Sequence, residues 1–135
     1  MRTLSLILLA GLLVACSDST TAPQPEPGPV HVRIEQASQR QTSATRYEVT
    51  AALRNHGGLG YFSLEFWSLP TSPTGQHRHW GTTEAVQVSA GYGETLTYRV
   101  ETSGSHIGWI VVRVRDSGSA AWKESQCYSL GSACP

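Results

Sequence analysis

His77 and His79 lie two residues apart with Glu84 close behind, the kind of grouping that metal chemistry can use. In a strand the two imidazoles share a face. A metal site needs three or four ligands in fixed geometry, and a lone His-x-His beside a Pro/Gly loop reads instead as a solvated strand edge, so no metal is expected. His31, His56 and His106 are scattered and join no group. Asp116-Ser117-Gly118-Ser119 sets a hydroxyl beside a carboxylate. A nucleophilic Ser also needs a positioned base and an oxyanion hole, so the segment reads as a hairpin turn. No Gly-rich phosphate loop and no G-x-S-x-G occurs. No catalytic residue and no cofactor is assigned, and the chain is expected not to be an enzyme.

The aromatic residues are the other candidates. Trp67 falls on the opposite parity from Phe62, Leu64 and Phe66, and Trp109 on the opposite parity from Ile110, Val112 and Val114. Both are expected to point outward, with Trp80, beside the long loop that starts at Pro70, extending the same patch. An exposed indole suits contact with a sugar or protein partner. The competing reading is that a bulge shifts the phase and places one or two of these indoles in the core.

The elements that must hold these side chains are strands. Val30, Val32 and Ile34 alternate with His31, Arg33 and Glu35, and the same period of two recurs at Tyr47 to Leu53, Phe62 to Phe66, Val86 to Val88, Leu96 to Val100 and Ile110 to Val114. Ala121 to Tyr128 is a further strand candidate. Turn clusters stand between the runs: Asn55-His56-Gly57-Gly58, Pro70 to Gly75, Gly91-Tyr92-Gly93, Ser103-Gly104-Ser105 and Asp116 to Ser119. No helical stripe competes. Seven or eight short strands from Val30 onward predict an all-β fold, an antiparallel immunoglobulin-like or fibronectin-III-like β-sandwich, with a small closed barrel as the alternative.

Composition limits function further. Ten Lys+Arg against ten Asp+Glu, with no basic run, excludes an electrostatic nucleic-acid binder. At 135 residues the chain holds one domain and is too short for a (β/α)₈ enzyme, which needs about 250.

The N-terminus reads as an address. Met1-Arg2 precedes an apolar stretch from Leu4 to Ala15, whose helical rise of about 18 Å is short of a bilayer core but right for a signal peptide. Leu13-Val14-Ala15-Cys16 resembles the lipobox of bacterial lipoproteins. That resemblance implies cleavage after residue 15, lipidation of Cys16 and anchoring in a membrane through its acyl chains. Ser17, where retained lipoproteins often carry Asp, points by the same resemblance to the outer membrane of a bacterial cell envelope. Residues 16–29 then form the lipidated Cys and a linker with Pro23, Pro25, Pro27 and Pro29, extended and semi-rigid, and residues 30–135 form the β-domain. With Cys16 acylated, Cys127 and Cys134 are the remaining thiols of an exported chain, and their spacing fits neither C-x-x-C nor a zinc knuckle. A disulfide is expected between them.

Tyr47 to Gly57, ending Leu53-Arg54-Asn55-His56-Gly57, resembles the core strand that closes on V-x-N-x-G in immunoglobulin-like bacterial surface modules, notably the CARDB (cell-adhesion-related) and fibronectin-III-like domains. Val88 to Val100 resembles their turn-and-strand segment. The chain departs from them in ending with Cys127 and Cys134 rather than acidic and Asn-Asn residues, and it lacks the Cys…Trp…Cys core of antibody domains. The resemblance implies a non-catalytic adhesion, spacer or assembly module that contacts an envelope protein or a glycan. A carbohydrate-binding or enzyme-accessory domain working through exposed Trp is the alternative.

Overall fold

A computed structural model describes Gly28–Pro135; the signal segment, Cys16 and most of the linker lie outside the described residues. Eight strands follow in order: β1 Val32–Ser43, β2 Arg46–Asn55, β3 Gly60–Ser68, β4 Arg78–Thr82, β5 Val86–Val88, β6 Gly93–Glu101, β7 Trp109–Asp116 and β8 Lys123–Ser129. Every alternating run of the sequence is one of them. The apolar half of each run faces inward. Val32, Ile34, Val49, Ala51, Leu53, Phe62, Leu64, Phe66, Ile110, Val112 and Val114 are all buried, and with Val30, Val88, Val100 and Ile107 they make one cluster between two sheets.

One sheet has the order β1-β2-β6; the other has the order β4-β3-β7-β8, with β5 also pairing β3. All pairings are antiparallel. The chain crosses between sheets at β2→β3, β5→β6 and β6→β7, so the fold is an antiparallel immunoglobulin-like β-sandwich. It is not a closed barrel, because β6 shares no ladder with β4 or β5. β4 and β8 lack an alternating apolar signature, and of these only β4 is not anticipated as a strand by the sequence. β4 is a short edge strand, and Thr83 fills the gap between it and β5 by donating its N–H to the Leu64 carbonyl at 2.9 Å and accepting the Leu64 N–H on its hydroxyl at 3.0 Å.

The β1 edge is sealed by side chains instead of a strand. Gln126 accepts the Ile34 N–H at 2.6 Å, Ser125 donates to the Val32 carbonyl at 2.8 Å, and the Tyr128 hydroxyl accepts the Ala37 N–H at 3.3 Å. Further along, the Gln39 amide donates to the Ile107 carbonyl at 2.6 Å and accepts its N–H at 2.9 Å. A register shift between Ile34 and Gln36 completes a blunted edge.

Asn55 fastens one end of the sandwich. Its side-chain oxygen accepts the N–H of His31 (3.1 Å) and of Gly57 (3.0 Å), while its amide donates to the carbonyls of Gly58 (2.7 Å) and Ser89 (2.9 Å). Gly57 must be glycine, because a Cβ there would meet the Pro29 carbonyl oxygen at 2.0 Å.

Candidate functional site

The two outer faces of the sandwich differ in kind. On the β1-β2-β6 sheet the outward residues form a solvated charge ladder: Arg40 to Glu48 at 2.8 Å, Arg54 to Glu35 at 2.9 Å, Arg46 to Glu101, and a Thr50–Thr97 hydroxyl pair at 3.3 Å. The hydrogen bond and charge of Arg40 hold the Glu48 carboxyl below the ordinary carboxylate range. Such a face needs no partner.

The outer face of the larger sheet carries aromatic rings. Ladder pairing aligns Tyr61 with Arg115, Ser63 with Arg113, Glu65 with Val111 and Trp67 with Trp109. At its centre the Glu65 carboxylate accepts Arg113 Nε on one oxygen and Trp67 Nε1 on the other, each at 3.2 Å. Towards β8, the Arg115 guanidinium lies between two rings, 4.2 Å from the Tyr61 centroid and 5.3 Å from that of Trp122, and donates to the Ser119 carbonyl at 3.1 Å. Two grooves share Glu65 and Arg113 in their walls. One, of about 410 Å³, runs over Ser63, Thr82, Thr83, Ala85 and Trp122; the other, of about 220 Å³, runs over Trp67, His77, Trp109, Val111, Glu124 and Pro135.

The three tryptophans singled out by parity separate. Trp67 and Trp109 do occupy this outer face, but the expectation that Trp109 is exposed is corrected: it is 1% exposed. Its cover comes from elsewhere in the chain. His77 meets it edge-on at a centroid distance of 5.0 Å, and Pro135 flanks it in the groove. The tail reaches back because Cys127 and Cys134 are joined as a disulfide, while Leu130 and Ser132 donate their N–H groups to the Gly108 carbonyl at 2.8 and 3.2 Å. Trp67 is half-buried beneath His79, at 4.8 Å between centroids.

Trp80 is corrected more fully. It packs against the inter-sheet core, with its indole N–H donated to the Ser68 hydroxyl at 2.8 Å and the Arg78 guanidinium 4.6 Å from its ring. It lines a separate cleft of about 330 Å³, shared with Phe66, Val86 and Tyr98 between β6 and the β4/β5 edge, and it does not extend the Trp67 patch.

His77 and His79 do not converge on one point. Each lies against a different tryptophan, and His79 Nε2 is bonded to the Thr82 hydroxyl at 3.0 Å, while Glu84 lines the Trp80 cleft. Among the described residues no group of three His, Cys, Asp or Glu is placed to hold a metal ion. Asp116 to Ser119 is the β7–β8 turn, closed by the Ser119 N–H on the Asp116 carbonyl at 3.0 Å. The Asp116 carboxylate accepts the Val30 N–H at 2.8 Å and faces Lys123 at 3.3 Å, and these hold its carboxyl below the usual range.

Sequence reasoning missed Tyr61, Glu65, Arg113, Arg115 and Trp122. The signal was present for four of them, since Tyr61, Glu65, Arg113 and Arg115 share the outward parity of Trp67 and Trp109. Trp122 precedes β8, where no alternation fixes a direction.

No protein-family model matches the chain, and no curated protein matches it at a significant level. Among solved structures it is similar to the β-glucosidase EmGH1 from Erythrobacter marinus, at 13% identity and a TM-score of 0.42 over 75% of this chain and 15% of that one. It is also similar to a GH3 β-glucosidase from Bifidobacterium adolescentis, at 19% and 0.45 over 78% and 18%, and to the β-glucosidase DesR from Streptomyces venezuelae, at 20% and 0.40 over 75% and 15%. The chain spans less than a fifth of each of those enzymes.

Proposed function

We propose that this chain is a lipid-anchored binding module of a bacterial cell envelope, non-catalytic, whose contact surface is the outer face of the β4-β3-β7-β8 sheet. The observation that carries this reading is the contrast between the two outer faces. One compensates its charges in a ladder of ion pairs; the other keeps Trp67 and Trp122 in the walls of two adjacent grooves, with Tyr61, Arg113 and Arg115 on the same face. A sandwich that needed only to be soluble has no reason to concentrate its aromatic residues on one outer face.

The tether is supported by the sequence. Cys16 in its lipobox and the Pro-rich linker would hold the domain clear of an outer-membrane surface, near polymers and proteins of the envelope. A non-catalytic role is supported by the chemistry of the carboxylates: Glu48, Glu65, Glu101 and Asp116 sit in ion pairs with Arg or Lys, and Glu35, which has His56 Nε2 at 3.9 Å, is bonded to Arg54 at 2.9 Å.

The test has two arms. Cys16→Ser should move the protein from the detergent phase to the aqueous phase, and normal acylation of that variant would reject the anchor. Full chain immobilised on beads should retain envelope material that the double variant Trp67→Ala/Trp122→Ala does not. Equal retention by both would reject the face.

A further inference from the structure

Resting on that reading of the face, we infer that its ligand is a neutral, extended polysaccharide laid along the two adjacent grooves. Shape is the first argument. Both grooves are lined by β3, one from Ser63 and the other from Trp67, and they share Glu65 and Arg113, so they lie in line along the strand. Four residues of strand rise roughly 14 Å. Two grooves in line over that length take several units of a linear chain, whereas a protein interface needs roughly 800 Å² of surface from each partner.

Among the described residues the large exposed apolar ones are Leu59, Leu69 and Trp122, and of these only Trp122 lines the grooves. The other rings are half-buried or covered, and they present edges and partial faces between polar groups. That is how a sugar is held, with its C–H face on an indole and its hydroxyls on flanking donors and acceptors.

Charge decides between a neutral and an acidic glycan. The charged groups of the grooves and their Trp122 end are Arg113 and Arg115 against Glu65 and Glu124, two of each sign. A polyanion would meet as much repulsion as attraction. A hydroxyl both donates and accepts, and so uses both signs. Arg113 spends only Nε on Glu65, which leaves its terminal N–H groups without a described partner and in the wall common to both grooves. The Thr82 and Thr83 hydroxyls and the exposed Glu124 carboxylate supply the complementary acceptors.

Affinity electrophoresis of the full chain in detergent tests this against soluble neutral homopolymers of glucose, galactose, mannose and N-acetylglucosamine, with polygalacturonate and polyglutamate as charged comparisons. At least one neutral polymer should retard the protein, undiminished by 0.5 M salt. Arg113→Gln and Trp122→Ala should each weaken that retardation about fivefold or more, with unchanged melting, while Thr50→Ala on the opposite face leaves it intact. Should Arg113→Gln melt early because Glu65 loses its partner, Arg115→Gln replaces it as the second variant.

Retardation by no neutral polymer overturns the inference, as does retardation confined to the charged polymers and abolished by salt. If no polysaccharide binds but Trp67→Ala/Trp122→Ala still loses an envelope protein from the beads, the contact face stands and the ligand assignment falls. If that double variant binds polymers and envelope material as the parent does, both fall.

Discussion

At the scale of single residues, Trp109 separates what parity tells from what it does not. Alternation with Ile110 and Val112 places the indole on an outer face, and the indole is there. Exposure depends on cover, and the cover is His77 from one loop and Pro135 from the tail, neither of which leaves a periodic trace in the sequence. The consequence is measurable. Trp109→Ala should cost about 3 to 5 kcal/mol, as for a core tryptophan, and lower the melting temperature by more than about 12 °C, since 1 kcal/mol shifts a domain of this size by roughly 4 to 8 °C. Trp122→Ala, at a residue 40% exposed, should shift it by only a few degrees. Thermal melts of the two variants decide it; equal losses would mean that the cover over Trp109 contributes nothing.

At the scale of elements, strict alternation was legible because each run has one buried face, and Phe62-Leu64-Phe66 or Ile110-Val112-Val114 can satisfy that face in only one register. β4 was not legible, since an edge strand reading Arg-His-Trp-Gly-Thr makes few core contacts to select for. Nor was the seal of β1 by Gln126, Tyr128 and Gln39, which joins residues dozens of positions apart through amide and hydroxyl groups that look like ordinary surface. Asn55 was visible as part of a turn motif, and its role is now specific. Its side chain makes four hydrogen bonds to three segments while 1% exposed. Asn55→Ala would leave buried backbone groups without partners at about 1 to 3 kcal/mol each, so chemical denaturation should show a midpoint far below the parent's. A midpoint within error of the parent's would refute that role. The tail is held more weakly. Reducing Cys127–Cys134 should remove about 2.5 kcal/mol by the chain-entropy model and free the segment that packs by Trp109, which increased tryptophan quenching by acrylamide would report. Unchanged quenching after reduction would show that Leu130 and Ser132 on Gly108 suffice alone.

At the scale of the whole molecule, opposing charges and buried phenols set the range of pH over which the sandwich holds. The folded state lowers the Asp116 carboxyl through the Val30 N–H and then Lys123, and lowers Glu48 through Arg40. A group with a depressed folded pKa binds its proton less readily when folded. Its stabilisation is therefore present above the unfolded value, near 3.8 for Asp116 and 4.5 for Glu48, and is lost as pH falls through the lower folded value. Tyr92 and Tyr98 act in the opposite sense. Burial pushes both phenols from 10 up to about 12, so the neutral form is favoured on folding, and stability present below pH 10 is lost as pH rises towards 12. The melting temperature should be flat between these limits and fall on either side. Two variants assign the limbs. Asp116→Asn keeps an acceptor for Val30 but loses the charge, and should lower the plateau while making the acid limb shallower. Tyr98→Phe removes a buried hydroxyl that has no hydrogen-bond partner among the described residues. It should melt at or above the parent's temperature at pH 7 and lose part of the alkaline decline. A Tyr98→Phe protein that melts well below the parent at pH 7 would mean that the hydroxyl is bonded in solution, and the cleft it shares with Trp80 would then hold an ordered water that the packing of the two sheets requires.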